Sequence, residues 1–282
     1  MFTTRKAAIA VMLGSMLVLP AAGAYADDPP GHPVQLEVGD SWTYGDGASA
    51  PAITGYAGRV FASNLTELDC TPAAASQAKD GCKHLQRVIH ARPGTADNPG
   101  VTTDAMLAEQ MAPATALLTD RNTDANPHND VEVVLVSVGG NDVSGPVLAA
   151  CLGGLDGDCL AVIAERLGQV QTNLDVILTD LRSAAGGEAT IVITTYDNAI
   201  PHCPIGEVPG ASELGALVLE GHPTLGIAGL NNIIRSTAAR HGVEVPDTYG
   251  SLGAGQWVGD CLHPNDDGYA TIAGIVSGVI GD

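Results

Sequence analysis

Positive charge is what this sequence has least of. Only 12 of its 282 residues are Lys or Arg, against 32 Asp and Glu, for a formal net charge of −20. A field of that sign repels phosphate backbones and anionic bilayers, so nucleic acid is not an expected partner. Aromatic residues are sparse as well. Two Trp, two Phe and six Tyr allow only a small stacking platform for sugar rings. There is no internal repeat, low-complexity tract or interdomain linker, which argues against an array or a multidomain chain. Cys-x-x-Cys is absent and the cysteine spacings are wrong for zinc, so no metal centre is expected. His202 and His222, near Cys203, lack a third ligand and do not alter that reading.

After residue 24 no stretch approaches the roughly 18 uninterrupted apolar residues of a membrane span. The first 26 residues are different. Arg5 and Lys6 precede an uncharged, mostly apolar run from Ala7 to Ala24, and Ala24-Tyr25-Ala26 puts small residues where a signal peptidase reads. Gly14, Ser15, Pro20 and Gly23 interrupt the run, and a polar stretch starts at Asp27. Residues 1–26 are therefore expected to be a removable export signal, and 27–282 a single secreted domain without stable membrane insertion. Loss of Arg5 and Lys6 increases the acidic excess. The remaining length suits one α/β domain with a sizeable core, expected to be a monomer.

The six cysteines, Cys70, Cys82, Cys151, Cys159, Cys203 and Cys261, all lie beyond the signal. In an oxidising compartment an even set reads as three disulfides. Fifteen pairings are possible. Nearest-neighbour pairing (70–82, 151–159, 203–261) is the expected one because it closes two short loops at little entropic cost, and the others stay open.

Strands alternate with helices along the chain, the signature of an open parallel sheet covered on both faces. Val34, Leu36 and Val38 alternate with polar residues and read as a first strand ending at Gly39. The β-branched run from Val131 to Val138 reads as a strand buried on both faces. Ile163, Leu167, Val170, Leu174, Ile177, Leu178 and Leu181 fall at helical spacing between Leu160 and Leu181, and Gly186-Gly187 ends that helix. Ile191 to Ile193 is the next strand. A helix from about Leu225 to Arg240, a short strand from Val243 to Val245, and a helix opened by Pro264 and running towards Val279 complete the pattern. Stretches 66–100, 119–130 and 198–223 read as long loops, where a substrate pocket is expected.

Four short stretches carry chemistry. In Gly39-Asp40-Ser41-Trp42 a serine stands just past a strand end, at the edge where open α/β sheets bind ligands. The same residues also describe an ordinary turn. In Asp260-Cys261-Leu262-His263 the histidine can take a hydroxyl proton near neutral pH, and a carboxylate three residues earlier can fix its tautomer. The bland alternative is that Asp260 caps the last helix and His263 is a surface residue. In Gly139-Gly140-Asn141-Asp142, after the Val131 strand, the asparagine amide can face a developing oxyanion. In Pro99-Gly100-Val101, Gly100 can donate a backbone N–H with no side chain in the way. Asp40 and Asp142 are expected to stabilise their own turns. Trp42 reads as either a pocket lining or packing over the first helix.

Taken together and in this order, the four stretches resemble the GDSL, or SGNH, family of hydrolases over positions 39 to 263. Ser41 matches the nucleophile, Gly100 in PGVTT the second-block glycine (Pro93-Gly94 lies close by), Asn141 in GGND the third-block asparagine, and Asp260 and His263 in DCLH the last block. Trp42 stands where the family's leucine would be. The resemblance implies a three-layer α/β/α fold with a central, mostly parallel sheet. It further implies acyl transfer to Ser41 with His263 as base and Asp260 orienting it. The oxyanion would be held by the backbone N–H groups of Ser41 and Gly100 and by the Asn141 amide, and no cofactor is called for. The cysteines are similar to those of secreted members with three disulfides, which supports nearest-neighbour pairing. A disulfide from Cys203 to Cys261 would hold the catalytic loop. The expected activity is that of a lipase or carboxylesterase on neutral, lipid-like esters. Phospholipase or carbohydrate (acetyl) esterase activity, or a non-catalytic extracellular binding role, are the alternatives. The absence of a Gly-x-Ser-x-Gly pentad argues against an ordinary α/β-hydrolase.

Overall fold

The structure, a computed structural model, describes residues 32–67, 85–94, 100–151 and 153–280. The expected export signal and the expected pair Cys70–Cys82 lie outside the described residues.

Four parallel strands, β1 (Val34–Gly39), β2 (Gln86–Ile89), β3 (Val131–Ser137) and β4 (Thr190–Ile193), form one sheet in the order β2-β1-β3-β4. β1 begins the chain's sheet yet lies inside it, and the order reverses beside it, so the carboxyl ends of β1 and β3 open onto one crevice. The helices are α1 (Ser41–Tyr44), α2 (Pro51–Thr54), α3 (Tyr56–Glu67), α4 (Thr103–Glu109), α5 (Met111–Asn122), α6 (Gly140–Cys151), α7 (Gly157–Ala185), α8 (Ala211–Glu220), α9 (Leu230–His241) and α10 (Asp266–Ile280). α7 packs on α5, α6 and α9, while α10 packs on α3. Two helical layers thus enclose the sheet, as expected for α/β/α.

β1 differs from a half-exposed strand. All six of its residues are buried, including Gln35 and Glu37. Gln35 donates to Glu37 Oε1 (2.7 Å) and to the α3 carbonyl of Ala57 (2.9 Å), and Arg87 of β2 pairs with Glu37. Burial raises the Glu37 carboxyl above its ordinary range even against the Arg87 guanidinium. The polar face that alternation leaves open is covered by α3, with the Gln35 amide hydrogens and the Glu37 carboxylate paired internally.

α7 follows the sequence pattern, capped by Asp156 at its start and by left-handed Gly186 at its end. Elsewhere the boundaries move. The stretch 198–223 is not a loop throughout: it contains α8, whose short apolar face is hidden among prolines and glycines. The stretch 66–100 contains the edge strand β2, and 119–130 begins inside α5. The helix expected from Leu225 starts at Leu230, because Pro223–Leu225 is a 3₁₀ turn closed by left-handed Gly226. Of Val243 to Val245, only Glu244 bridges to the sheet, at Val192. Pro264 does not open the last helix. It bridges to Trp257, and Asn265 caps α10 by accepting from Asp267 and Gly268 (3.0 and 3.1 Å).

Candidate active site

The nucleophile candidate owes its position to a turn that only glycine fits. Gly39 has φ +123°, and a Cβ there would collide with the carbonyl of Ser137 on β3. Gln110 clamps the same peptide from below, accepting from Gly39 N–H (2.6 Å) and donating to its carbonyl (2.9 Å). Asp40 then caps α1 by accepting from Trp42 N–H at 3.0 Å. Ser41 is therefore the first residue of a helix, where backbone N–H groups have no intrahelical partner. It is buried at the carboxyl edge of β1.

His263 Nε2 lies 2.8 Å from Ser41 Oγ, and its Nδ1 lies 2.6 Å from Asp260 Oδ2. The other carboxylate oxygen of Asp260 accepts the backbone N–H groups of Leu262 and His263 (2.9 and 3.0 Å). Partial burial pushes the Asp260 carboxyl up, but the bonds from the His263 ring and these two amides outweigh it and hold it below its ordinary range. Asp260 faces His263 and not α10, so the capping alternative does not hold. The loop is fixed at three further points. Cys261, in the left-handed region at φ 62°, is disulfide-bonded to Cys203. Trp42 donates its indole N–H to the Leu262 carbonyl at 3.1 Å, and Val258 N–H donates to the His263 carbonyl at 3.0 Å. The second disulfide among the described residues is Cys151–Cys159, so both expected pairings that fall there are present.

Asn141 stands at the start of α6, past β3. It shares the cleft lining with Ser41 and His263, and donates one amide hydrogen to the Val101 carbonyl (3.1 Å). Gly100, at φ +137°, lies against it: an added Cβ would come within 2.5 Å of Asn141 Nδ2. Close approach of the two turns thus depends on glycine at position 100. Asp142 serves its own turn through its own backbone N–H, as expected, and its carboxylate also accepts from Thr103 N–H (2.9 Å) and Thr103 Oγ1 (2.7 Å). Burial raises its pKa. The Gly100 turn is thereby tied to the head of α6.

A cleft of about 300 Å³ leads away from Ser41. Val143, Val147 and Leu148 of α6 form one wall and Leu214, Val218 and Leu219 of α8 the other, with Ile200 and Ile205 between them. Few polar groups face it, so it suits an aliphatic ligand. Among the described residues no cluster of three His, Cys, Asp or Glu could hold a metal, and His202 stacks on Trp257. Trp42 packs against both Tyr196 and Trp257, with centroids 5.0 and 6.2 Å apart, and also reaches the cleft. The pocket-lining reading therefore holds, while its packing is on Tyr196 and Trp257 and not over the first helix.

Sequence reasoning missed Gln110, the Asp142–Thr103 tie and Tyr196, which donates to the buried Asp40. Only Asp142, adjacent to Asn141, carried a signal. A glutamine between two helices and a tyrosine past a strand carry none.

Residues 38–271 match the sequence model of the GDSL-like lipase/acylhydrolase family. The fold is similar to that of a lipase from a goat rumen metagenome (TM-score 0.59, 17% identity, 87% of this chain and 96% of the other). It is also similar to an extracellular lipase from Streptomyces rimosus (TM-score 0.52, 19% identity, 87% and 99%). No curated protein matches the chain.

Proposed function

Because the chain belongs to the GDSL-like lipase/acylhydrolase family and is an ester hydrolase, we propose that it cleaves carboxylic esters through an acyl-enzyme on Ser41. His263 Nε2 takes the Ser41 proton as Oγ attacks the ester carbonyl, and the imidazolium returns that proton to the departing alcohol. Asp260 holds the tautomer that leaves Nε2 free to accept. Negative charge on the carbonyl oxygen is met by the Ser41 N–H, the Gly100 N–H and the Asn141 amide, each such donor typically worth about 3 kcal/mol of barrier. Water, deprotonated by His263, then attacks the acyl-enzyme and releases the acid and free Ser41.

The observation that carries this reading is the unbroken Ser41–His263–Asp260 relay at the head of an aliphatic cleft. The cleft favours neutral, lipid-like esters over acetylated sugars, and the acidic charge disfavours anionic bilayers. Residues 1–26 are proposed to be an export signal and 27–282 one secreted domain with Cys70 and Cys82 as its third disulfide. The two described disulfides fit an oxidising compartment. Hydrolysis of p-nitrophenyl esters by wild type, Ser41→Ala and His263→Ala tests the mechanism. Both variants are expected to lose nearly all turnover, and wild-type rates from Ser41→Ala would remove the nucleophile.

A further inference from the structure

Tyr196 follows β4 closely and forms part of the cleft wall. Its backbone is gripped from both sides by the fully buried Asn231 of α9. Oδ1 accepts the Tyr196 N–H (2.9 Å) and Nδ2 donates to its carbonyl (2.8 Å). With its origin so fixed, the side chain reaches two places at once. Its ring lies over Gly140, where an added Cβ would come within 3.0 Å of Cε1. Its hydroxyl donates to Asp40 Oδ2. Asp40 already caps α1 through Oδ1, which is all that a helix N-terminus asks of it. A second donor from a distant strand end is more than capping requires, and it reaches a carboxylate that is enclosed on every side. The turn bearing Ser41 and the turn bearing Asn141 therefore both rest on one side chain.

We propose that Tyr196 is a positioning residue for ester cleavage, its hydroxyl holding the Asp40–Ser41 turn and its ring the Gly140–Asn141 turn at a fixed separation. This inference rests on the roles of Ser41 and Asn141 given above. A nucleophile and an oxyanion donor displaced by a fraction of an ångström lose rate steeply, whereas ground-state binding along the cleft is untouched. Tyr196→Phe keeps the ring and deletes only the hydroxyl, which is bonded to the buried Asp40. It is expected to lower kcat about tenfold with KM within twofold of wild type. In a double-mutant cycle with Asp40→Asn, the double variant is expected to cost no more than the worse single one, because both alter the same Tyr196–Asp40 contact. Gly140→Ala presses on the ring from the other side with the hydroxyl intact. It should also lower kcat without raising KM, and it keeps the test open if Tyr196→Phe does not fold. Wild-type kcat in Tyr196→Phe, or additive losses in the cycle, would overturn the positioning role. Ser41→Ala assayed alongside separates the two ideas: if it stays inactive while Tyr196→Phe is unimpaired, only the present inference fails. If it retains turnover, the ester-cleavage reading fails and the positioning role with it.

Discussion

Trp42 and Leu262 are joined by a single hydrogen bond, indole N–H to carbonyl at 3.1 Å, across 220 residues of chain. The residue after the serine thus grips the residue before the histidine. The separation of Ser41 Oγ and His263 Nε2 is set by that contact as well as by their own bond. Trp42→Phe keeps an aromatic ring against Tyr196 and Trp257 but removes the donor. The expected outcome is a loss of about 0.5–1.5 kcal/mol in stability and a fall in kcat of several-fold in steady-state ester hydrolysis. Unchanged kcat with lowered stability would restrict Trp42 to packing.

In the proposed mechanism Asp260 has two jobs that one substitution separates. In Asp260→Asn the remaining oxygen can still accept from Leu262 and His263 N–H, so the loop keeps its shape. An amide facing Nδ1 disfavours the required tautomer and offers the imidazolium no charge. The kcat is expected to fall by about a hundred- to ten-thousandfold, by analogy with loss of the triad carboxylate in serine proteases. A loss below tenfold would mean that solvent or the backbone orients His263 instead.

The Asp142–Thr103 tie makes a prediction about the oxyanion side. Asp142→Ala leaves a buried N–H and hydroxyl of Thr103 short of an acceptor, at a cost of about 1–3 kcal/mol. It also frees the Gly100 turn from α6. Both thermal unfolding and kcat should suffer, and the kcat loss should resemble that of Asn141→Ala, expected at about a hundredfold. Destabilisation with full activity would show that the turn holds without its tie.

How much of this was legible in the residues can be argued from individual cases. Gly39-Asp40-Ser41 and Asp260-Cys261-Leu262-His263 could be read because the chemistry needs those types within a few positions of a strand end or of each other. The α7 periodicity was legible because its 29 residues repeat one pattern many times. Tyr196 and Gln110 were not, because each acts on a turn far away in sequence, and no local spacing records that. α8 and β2 were missed because 10 and 4 residues offer too few repeats to outweigh neighbouring prolines, glycines and charges. The burial of Gln35 and Glu37 was not legible, because alternation cannot tell a solvent-facing polar side from a buried one whose residues pair with each other.

Asp40 gives a pH-dependent prediction. Enclosure pushes its carboxyl up to about 7, although Tyr196 and Trp42 donate to it. The charged groups around it are His263, which favours ionisation, and Asp142, which opposes it. A carboxyl whose folded pKa lies above its unfolded value near 4 contributes most to stability below pH 4. That contribution is lost as pH rises through about 7. Asp40→Asn removes this titration. The melting temperature of the variant relative to wild type should therefore rise between pH 5 and pH 8. A difference independent of pH would mean that Asp40 ionises in the folded protein as it does in the unfolded chain.

The two described disulfides should behave differently when removed. Chain-entropy arguments give about 2.5 kcal/mol for the eight-residue separation of Cys151 and Cys159 and about 4 kcal/mol for the 58-residue separation of Cys203 and Cys261. Stability alone thus predicts the larger melting shift for the second pair. Activity should separate them further. Cys261 lies between Asp260 and His263, while Cys151 ends α6 and Cys159 lies in the first turn of α7. Replacing Cys203 and Cys261 by Ala frees the loop that carries Asp260 and His263, leaving Trp42, Val258 and the Asp260 contacts to hold it. At temperatures well below either melting point, kcat should drop for the 203/261 variant and stay near wild type for the 151/159 variant. Equal activity in both would mean that the hydrogen bonds alone keep His263 in place.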